Sequence, residues 1–541
     1  MKKFIYISLS VVAGLLLSGC AKYLERDNPV ATTDDKWWSL ESDVRGYLDQ
    51  IYGGIPGGSL NYSWHSNSWS YLDGLSDNMI FKADFMGDVT NIPLGLGTTS
   101  TSIFEQYYTN SYNFIRMASR LLEHYETAYV EDPNIKKRYA AEARALRAWY
   151  HLMLFRMYGP IAIVDHSLNA DESFVKRNTQ EEVISFIVQE LLTAEKDLPS
   201  KYTENDNYRF NKGTCYSLLS ILQLTVGNYK EAARYAKIVI DRKAEFGYDL
   251  HKASDPATNS YADLFTYNGV TSPERIIYKK GANTEAFFRN APRSLGGQAV
   301  GSPTASIVNE YETLQGKTIA ELGGDSLKIY TNDPNYRQNR DKRLTVSILL
   351  PNETFINRKF EPFKNVVGNI DLIGQTQSTQ TGFLVKKYVD PSDVSRPYSG
   401  ALGFFVLRYA EILLTYVEAL VEDGQYSNPD VILYLNMIRN RAGMPNVDIQ
   451  KYNTKEKLRE LIRRERRVEL AFEGTRLFDI RRWKIAETVL NGSVYGAVNP
   501  ATLKPYVVQT RIFHPKRDYL WPIPLRETNA NPNMEQNPEW N

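Results

Sequence analysis

The chain has 541 residues, 43% hydrophobic and 23% charged, enough to bury a large core. Its 64 basic and 63 acidic residues leave a net charge of +1, which argues against nucleic acid, a partner that needs a concentrated basic face. Two cysteines, Cys20 and Cys215, exclude a disulfide framework, and no stretch reaches the roughly 18 apolar residues of a membrane span.

Lys2 and Lys3 precede an apolar run over 4–17, the pattern of an export signal spanning residues 1–19. Leu17-Ser18-Gly19-Cys20 has the form of a bacterial lipobox, in which the Cys20 sulfur takes a diacylglycerol. A plain secretory signal with an accidental cysteine is the alternative. Each buried acyl methylene adds about 0.8 kcal/mol of membrane affinity, so an acylated Cys20 would be a firm anchor. Residues 21–36 are polar and read as a tether. Loss of the leader removes Lys2 and Lys3 and leaves 62 basic against 63 acidic residues.

A short helix is expected over 43–51, broken by the glycines of 53–58. Residues 61–71, NYSWHSNSWSY, then place Tyr62, Trp64, Trp69 and Tyr71 among Ser, Asn and His with no aliphatic residue. Rigid aromatics among adaptable polar residues suit a binding loop, and aromatic faces can stack on a sugar ring. Asp73, Asp77 and Asn78 follow and could bond sugar hydroxyls, although their spacing fits no EF-hand calcium loop. The competing reading has Trp64 and Trp69 plugging the core beneath a polar loop.

Helical spacing recurs over 103–125, 133–158, 179–198, 212–226, 229–243, 401–422 and 429–441. Asp132-Pro133 opens the second of these and Gly159-Pro160 ends it, while Thr179 and Glu182 form a capping box. The pairs joined at Gly227 and at Gly424 resemble tetratricopeptide hairpins, without a strict 34-residue period. Cys215 reads as a small buried residue on its helix. Between 247 and 400 the pattern becomes loop-rich, with short apolar runs at 275–278 and 344–350. Phe287, Phe288, Arg289 and Arg293 lie in one loop, Tyr330 and Tyr336 in another, and these are secondary binding candidates.

Residues 458–483 read LRELIRRERRVELAFEGTRLFDIRRW. Glu465 and Glu469 fall on the apolar face of this helix, where a solvated helix would keep no carboxylates. They, with Glu473, are therefore expected to be buried against arginines, with Arg466, Arg476, Arg481 and Arg482 as the candidates. A surface helix with ordinary ion pairs is the alternative. Carboxylates beside arginines stay ionised and make poor general acids. No nucleophile elbow, zinc-protease motif, phosphate loop or dinucleotide fingerprint is present, and the six histidines lack metal-ligand spacing, so no enzyme, cofactor or metal is expected. The segment Trp521-Pro522-Ile523-Pro524 can be neither helix nor central strand and reads as an extended wrap.

The 458–483 stretch closely resembles the signature segment of the SusD/RagB family of outer-membrane nutrient-binding lipoproteins. EARALRAWYHLMLFRMYGP at 142–160, PTASIVNEYETLQG at 303–316, Gly382-Phe383 with Lys386-Lys387-Tyr388, LRYAEILLTYVEA at 407–419, LNMIRNRAGMP at 435–445 and LWPIPLRETNANPNMEQNP at 520–538 resemble other family segments in the same order. The resemblance implies a mainly α-helical domain over 37–541, with tetratricopeptide-like hairpins, a loop-rich region and few short strands. It further implies an outward-facing lipoprotein of the outer membrane that binds a glycan in irregular loops. Such a protein passes its ligand, as a lid, to a SusC-like TonB-dependent transporter. A peptide-binding member, or an adaptor with little ligand binding of its own, are the alternatives.

Overall fold

The order of helices along the chain is also their packing order. In the computed structural model, which describes residues 37–57, 69–82, 87–203, 206–281, 285–324 and 336–540, α1 (Glu41–Gly53) packs on both α2 (Ser102–His124) and α3 (Pro133–Tyr158). From there α3, α4 (Gln180–Asp197), α5 (Lys212–Thr225) and α6 (Tyr229–Asp241) stack each on its predecessor. The stack continues through α7 (Tyr409–Glu422), which carries α8 (Pro429–Arg441) and α9 (Lys455–Glu469), followed by the short α10 (Arg476–Arg482). The fold is mainly α, about 46% helical, with few short strands.

Local chemistry sets the helix ends. The Asp132 carboxylate accepts from Asn134 N at 2.8 Å, and Pro133 supplies the fixed φ of the first turn. Thr179 and Glu182 exchange bonds of 3.2 and 2.8 Å as a capping box. On α3 the small buried residues Ala141, Ala145 and Ala148 let neighbouring helices approach closely. Cys215 is fully buried on α5, and burial pushes its thiol well above the usual range. Among the described residues no helix is long and apolar enough to cross a membrane.

The sequence expectation of helix over 401–422 is corrected at its start. Residues Phe404–Arg408 form a strand, β4, whose five side chains are all buried, and the helix begins only at Tyr409. The run Phe-Phe-Val-Leu suits a strand covered on both faces. The described strands form two-stranded antiparallel pairs: β1 (Met79–Phe81) with β3 (Gly301–Pro303), β2 (Arg275–Lys279) with β4, and β5 (Gly492–Asn499) with β6 (Lys504–Arg511), besides two pairs of two-residue strands. The β5–β6 hairpin is an addition to the sequence reading. Its burial does not alternate, so it carries no two-residue hydrophobic period. The run at 344–350 divides into a helix end (Lys342–Ser347) and a strand (Ile348–Leu349).

The tail returns across the helical stack. Trp521 N donates to Met157 O at 2.8 Å, and the buried indole lies 5.0, 5.3 and 5.8 Å from the rings of Phe104, Tyr107 and Tyr158. Asn537 Nδ2 donates to Tyr158 O at 2.8 Å and to Trp521 O at 2.6 Å. One hydrophobic cluster runs from Trp38 to Trp540. A smaller one, around Phe287, Leu349, Phe355, Phe360 and Leu384, underlies the loop-rich region.

Candidate functional site: the loop face and the charge core beneath it

Glu465, Glu469 and Glu473 are all buried, and the arginines that meet them come mostly from the loop-rich region and from α8. Glu465 accepts from Arg343 at 3.0 Å and from Arg439. Glu469 accepts from Arg408 at 2.8 Å, from Arg343 at 3.1 Å and from Arg441. Glu473 binds Arg408 at 2.7 Å and Lys387 at 2.6 Å. Through Asp341, Glu274, Glu312 and Arg464 the pairs join into one network of six cations and six carboxylates. Equal charge lets the group be buried, because every desolvated ion keeps a partner. Burial alone would raise the Glu469 carboxyl, but Arg441, Arg408 and Arg343 outweigh it and hold it far below the usual range. Desolvation lowers Lys387 to about 8 against the pull of Glu473.

The partners named from sequence are corrected. Arg466 and Arg482 bind Asp479 at 3.1 and 2.8 Å, and they share Glu418. Arg476 grips Asp77 at 2.7 and 2.8 Å. Arg481 binds no carboxylate among the described residues; its Nη2 donates to Asp518 O at 3.0 Å.

The same segment takes up most of the polar residues assigned to ligand. Trp69 and Tyr71 are core residues. Trp69 lies against Trp149 and Phe478, with ring centroids 6.0 and 5.6 Å away. Asp73 accepts from Gly474 N at 2.6 Å and from Asn78 Nδ2 at 2.7 Å. Asn78 in turn accepts from Arg467 Nε at 3.0 Å, and Arg467 also reaches Asp77 at 2.9 Å. Burial raises the Asp73 carboxyl to about 6, whereas the two arginines beside Asp77 hold that group far below its usual range. These five residues are therefore structural, since each is closed off from solvent by the partners it binds. Tyr62, Trp64 and Tyr330 lie outside the described residues. Gly57 O and Trp69 N, on either side of 58–68, are joined by a bond of 2.7 Å.

The loop face lies over the smaller core. Phe287 is buried in that core, which corrects its assignment to ligand. Its neighbour Phe288 is half-buried, and its ring sits 4.2 Å from Tyr398 at 45°. Tyr398 is 60% exposed. Arg289 flanks the pair, 5.3 Å above the Phe288 ring, held by Glu285 at 2.9 Å and by Gln298 at 2.6 Å. Backbone bonds fix the arrangement: Phe288 N to Pro397 O at 3.3 Å, Gln298 N to Phe288 O at 2.8 Å and Val300 N to Arg289 O at 2.9 Å. Arg293 donates to Thr376 O at 2.7 Å and Ser294 N to Asp371 at 2.9 Å, which ties in a loop exposing Val366, Val367 and Ile370. Lys279, at the end of β2, donates to the carbonyls of Tyr52 and Gly53 at 3.0 and 2.7 Å. Thus the strand that leads toward 285–298 is fastened to the C-terminal end of α1. Tyr336 is buried, with its hydroxyl bonded by Val498 N. Tyr398 was not foreseen; its signal is an aromatic inside the Pro397-Tyr398-Ser399-Gly400 turn. Fixed aromatic faces beside a held guanidinium can take the apolar face of a ring and bond its hydroxyls.

Comparison with known proteins places the chain. The model of the SusD family matches residues 246–540, and one described as "starch-binding associating with outer membrane" matches 22–224. The SusD-like protein P2 of Formosa agariphila is 26% identical over 99% of both chains. A SusD-like protein of Bacteroides ovatus is 22% identical over 89% of this chain and 83% of its own. Among solved structures, a SusD-like carbohydrate binding protein from Bacteroides fragilis superposes with a TM-score of 0.81 at 27% identity, covering 92% of this chain and all of that one. A laminarin binding SusD-like protein gives 0.69 at 19% identity, covering 93% of this chain and all of its own. With more than half of its length matched by the family model, the chain belongs to the SusD family.

Proposed function

We propose that the chain binds an oligosaccharide or polysaccharide at the loop face, through Phe288, Tyr398, Arg289 and the aromatics Tyr62 and Trp64. The observation that carries this reading is the Phe288–Tyr398 pair, two rings 4.2 Å apart with one largely in solvent, in which backbone bonds tie Phe288 to Pro397 and to Gln298. Rigid aromatics lose little entropy when they engage a ligand, so the platform gains affinity at small ordering cost. The names of relatives that bind carbohydrate, laminarin among them, support the ligand class. Acylated at Cys20 and facing outward from the outer membrane, the protein would hand its glycan to a SusC-like TonB-dependent transporter. Membership of the family and the description of the matching model as associated with the outer membrane support that placement.

Calorimetric titration against a panel of polysaccharides and peptides tests the reading. Phe288→Ala with Tyr398→Ala should weaken glycan binding at least about tenfold, equal to about 1.4 kcal/mol. The same change should leave co-purification with the transporter intact. Undiminished binding in that variant and in Trp64→Ala would remove the loop face from the account. Binding of peptides alone would remove the glycan.

A further inference from the structure

On the side of the molecule where the end of α3 meets α10 and the returning tail, a cavity of about 500 Å³ opens between Gly227, Gly159 and Pro538. Its lining is cationic. Arg156, Arg481, Arg482, Lys484, Lys516 and Arg517 all face it, and no Asp or Glu does. The carboxylates nearby are turned away and occupied. Glu418 and Asp479 are held by Arg482 and Arg466, and Asp518 by Arg517 at 2.6 Å.

Two of the guanidiniums are left incomplete. Arg481 is only 9% exposed, yet its Nε and Nη1 are buried without a hydrogen-bond partner. Arg156 Nε is likewise buried and unpartnered, its guanidinium lying 3.5 Å over the Phe478 ring. Desolvation lowers both groups to about 10, against the pull of carboxylates that neither one touches. A buried donor without an acceptor is costly, and Arg156, Arg481, Lys484 and Lys516, which pair with no carboxylate among the described residues, repel one another. At the mouth, Lys484 lies 4.2 Å over the Tyr519 ring in a left-handed backbone conformation, φ +55°, and Lys516 is exposed. Neither lysine has an ion-pair partner among the described residues.

We propose that this cavity is an anion site, separate from the loop face, which takes an oxyanion group of the carboxylate or sulfate class. The Nη groups of Arg156 suit the oxygens of such a group, the buried Arg481 adds its positive charge behind them, and the two lysines draw the anion in. The volume is that of a small-ligand pocket and admits the oxyanion either free or carried on a sugar unit.

Purified full-length protein is titrated at low ionic strength with inorganic sulfate, D-glucuronate and D-glucose. Saturable binding of sulfate or glucuronate, and none of glucose to this site, is the expected result. Sulfate alone would identify a free-anion site, and preference for glucuronate a charged-sugar site. A lysine at ~6 Å through a water-like medium contributes about threefold, so Lys484→Gln with Lys516→Gln should weaken binding about tenfold. Both lysines are exposed, so this variant keeps its fold; Arg156→Gln, with folding checked by its melting curve, should weaken binding further. The Phe288→Ala/Tyr398→Ala variant should bind sulfate like the parent, which separates this site from the loop face. Failure of both anions to bind, or binding unchanged in the lysine variant and in Arg156→Gln, overturns the proposal.

Discussion

Replacing Glu469 by Gln keeps the shape of the side chain and removes one charge from a network of six cations and six carboxylates. Three arginines then lose a partner. Arg408 retains Glu274 and Glu473, Arg343 retains Asp341 and Glu465, and Arg441 retains only Glu274. The amide also turns an NH2 toward a guanidinium, donor against donor. Breaking one side of a buried pair typically costs about 3–5 kcal/mol, and Glu469, with no exposed surface, belongs in that range. The assay is urea unfolding followed by tryptophan fluorescence, for Glu469→Gln, Arg441→Gln and the double variant. The double variant restores neutrality, so it should be more stable than the sum of the single losses predicts by at least about 1 kcal/mol. A Glu469→Gln protein within ~0.5 kcal/mol of the parent, the range of ordinary surface substitutions, would refute the reasoning. So would strict additivity.

Gly474→Ala should be more damaging than its size suggests. The glycine has φ +78°, and a Cβ there would stand 2.3 Å from Trp69 Cδ1 and 2.5 Å from Trp69 O, so a loss of about 3 kcal/mol or more is expected in melting curves. Gly227→Ala, with φ +75° but open space around it, should cost only the conformational ~1–2 kcal/mol; equal losses would show that the clash is not real. Trp521→Ala should cost about 3–5 kcal/mol by emptying the ring cage of Phe104, Tyr107 and Tyr158, and a variant with parental urea midpoint would contradict it. Arg466 and Arg482 outweigh burial and hold Asp479 down to about 2, below an unfolded value near 3.9, so its stabilisation is present above about pH 4 and lost as pH falls toward 2, about 2 kcal/mol in all. Asp77 and Glu469 act in the same direction, whereas Asp73, raised to about 6 by burial, favours the fold below about pH 4 and loses that contribution between 4 and 6. The urea midpoint should therefore fall steeply from pH 4 to pH 2, and a rise over that interval would reverse the assignment.

The helical half was legible because its signals are local. Asp132-Pro133, the Thr179–Glu182 box and the 3.6-residue stripes each act within a few residues, and the helices start within two residues of where the spacing puts them. Glutamates on an apolar face disclosed buried charge for the same reason. Their partners, however, lie from 26 to 126 residues away, and no spacing within 458–483 could point to Arg343 or Arg439. Composition misled at 69–78. Asp73, Asp77 and Asn78 look like ligand groups beside aromatics, yet Gly474, Arg467 and Arg476 claim them from almost 400 residues away. At 404–408 a helical period continued backward from 409 into residues whose bulk and burial favour a strand.

The bond between Gly57 and Trp69 fixes both ends of an eleven-residue stretch at one point, and Trp69 is itself clamped over Gly474. Because the closing bond uses only backbone atoms, it tolerates any side chain at 57 and any but proline at 69, whereas the clamp depends on the Trp69 indole and on the missing Cβ of Gly474. The two posts are thus joined by one contact indifferent to sequence and braced by one that sequence alone preserves, so a change at 69 or 474 would release a junction that changes at 57 leave closed.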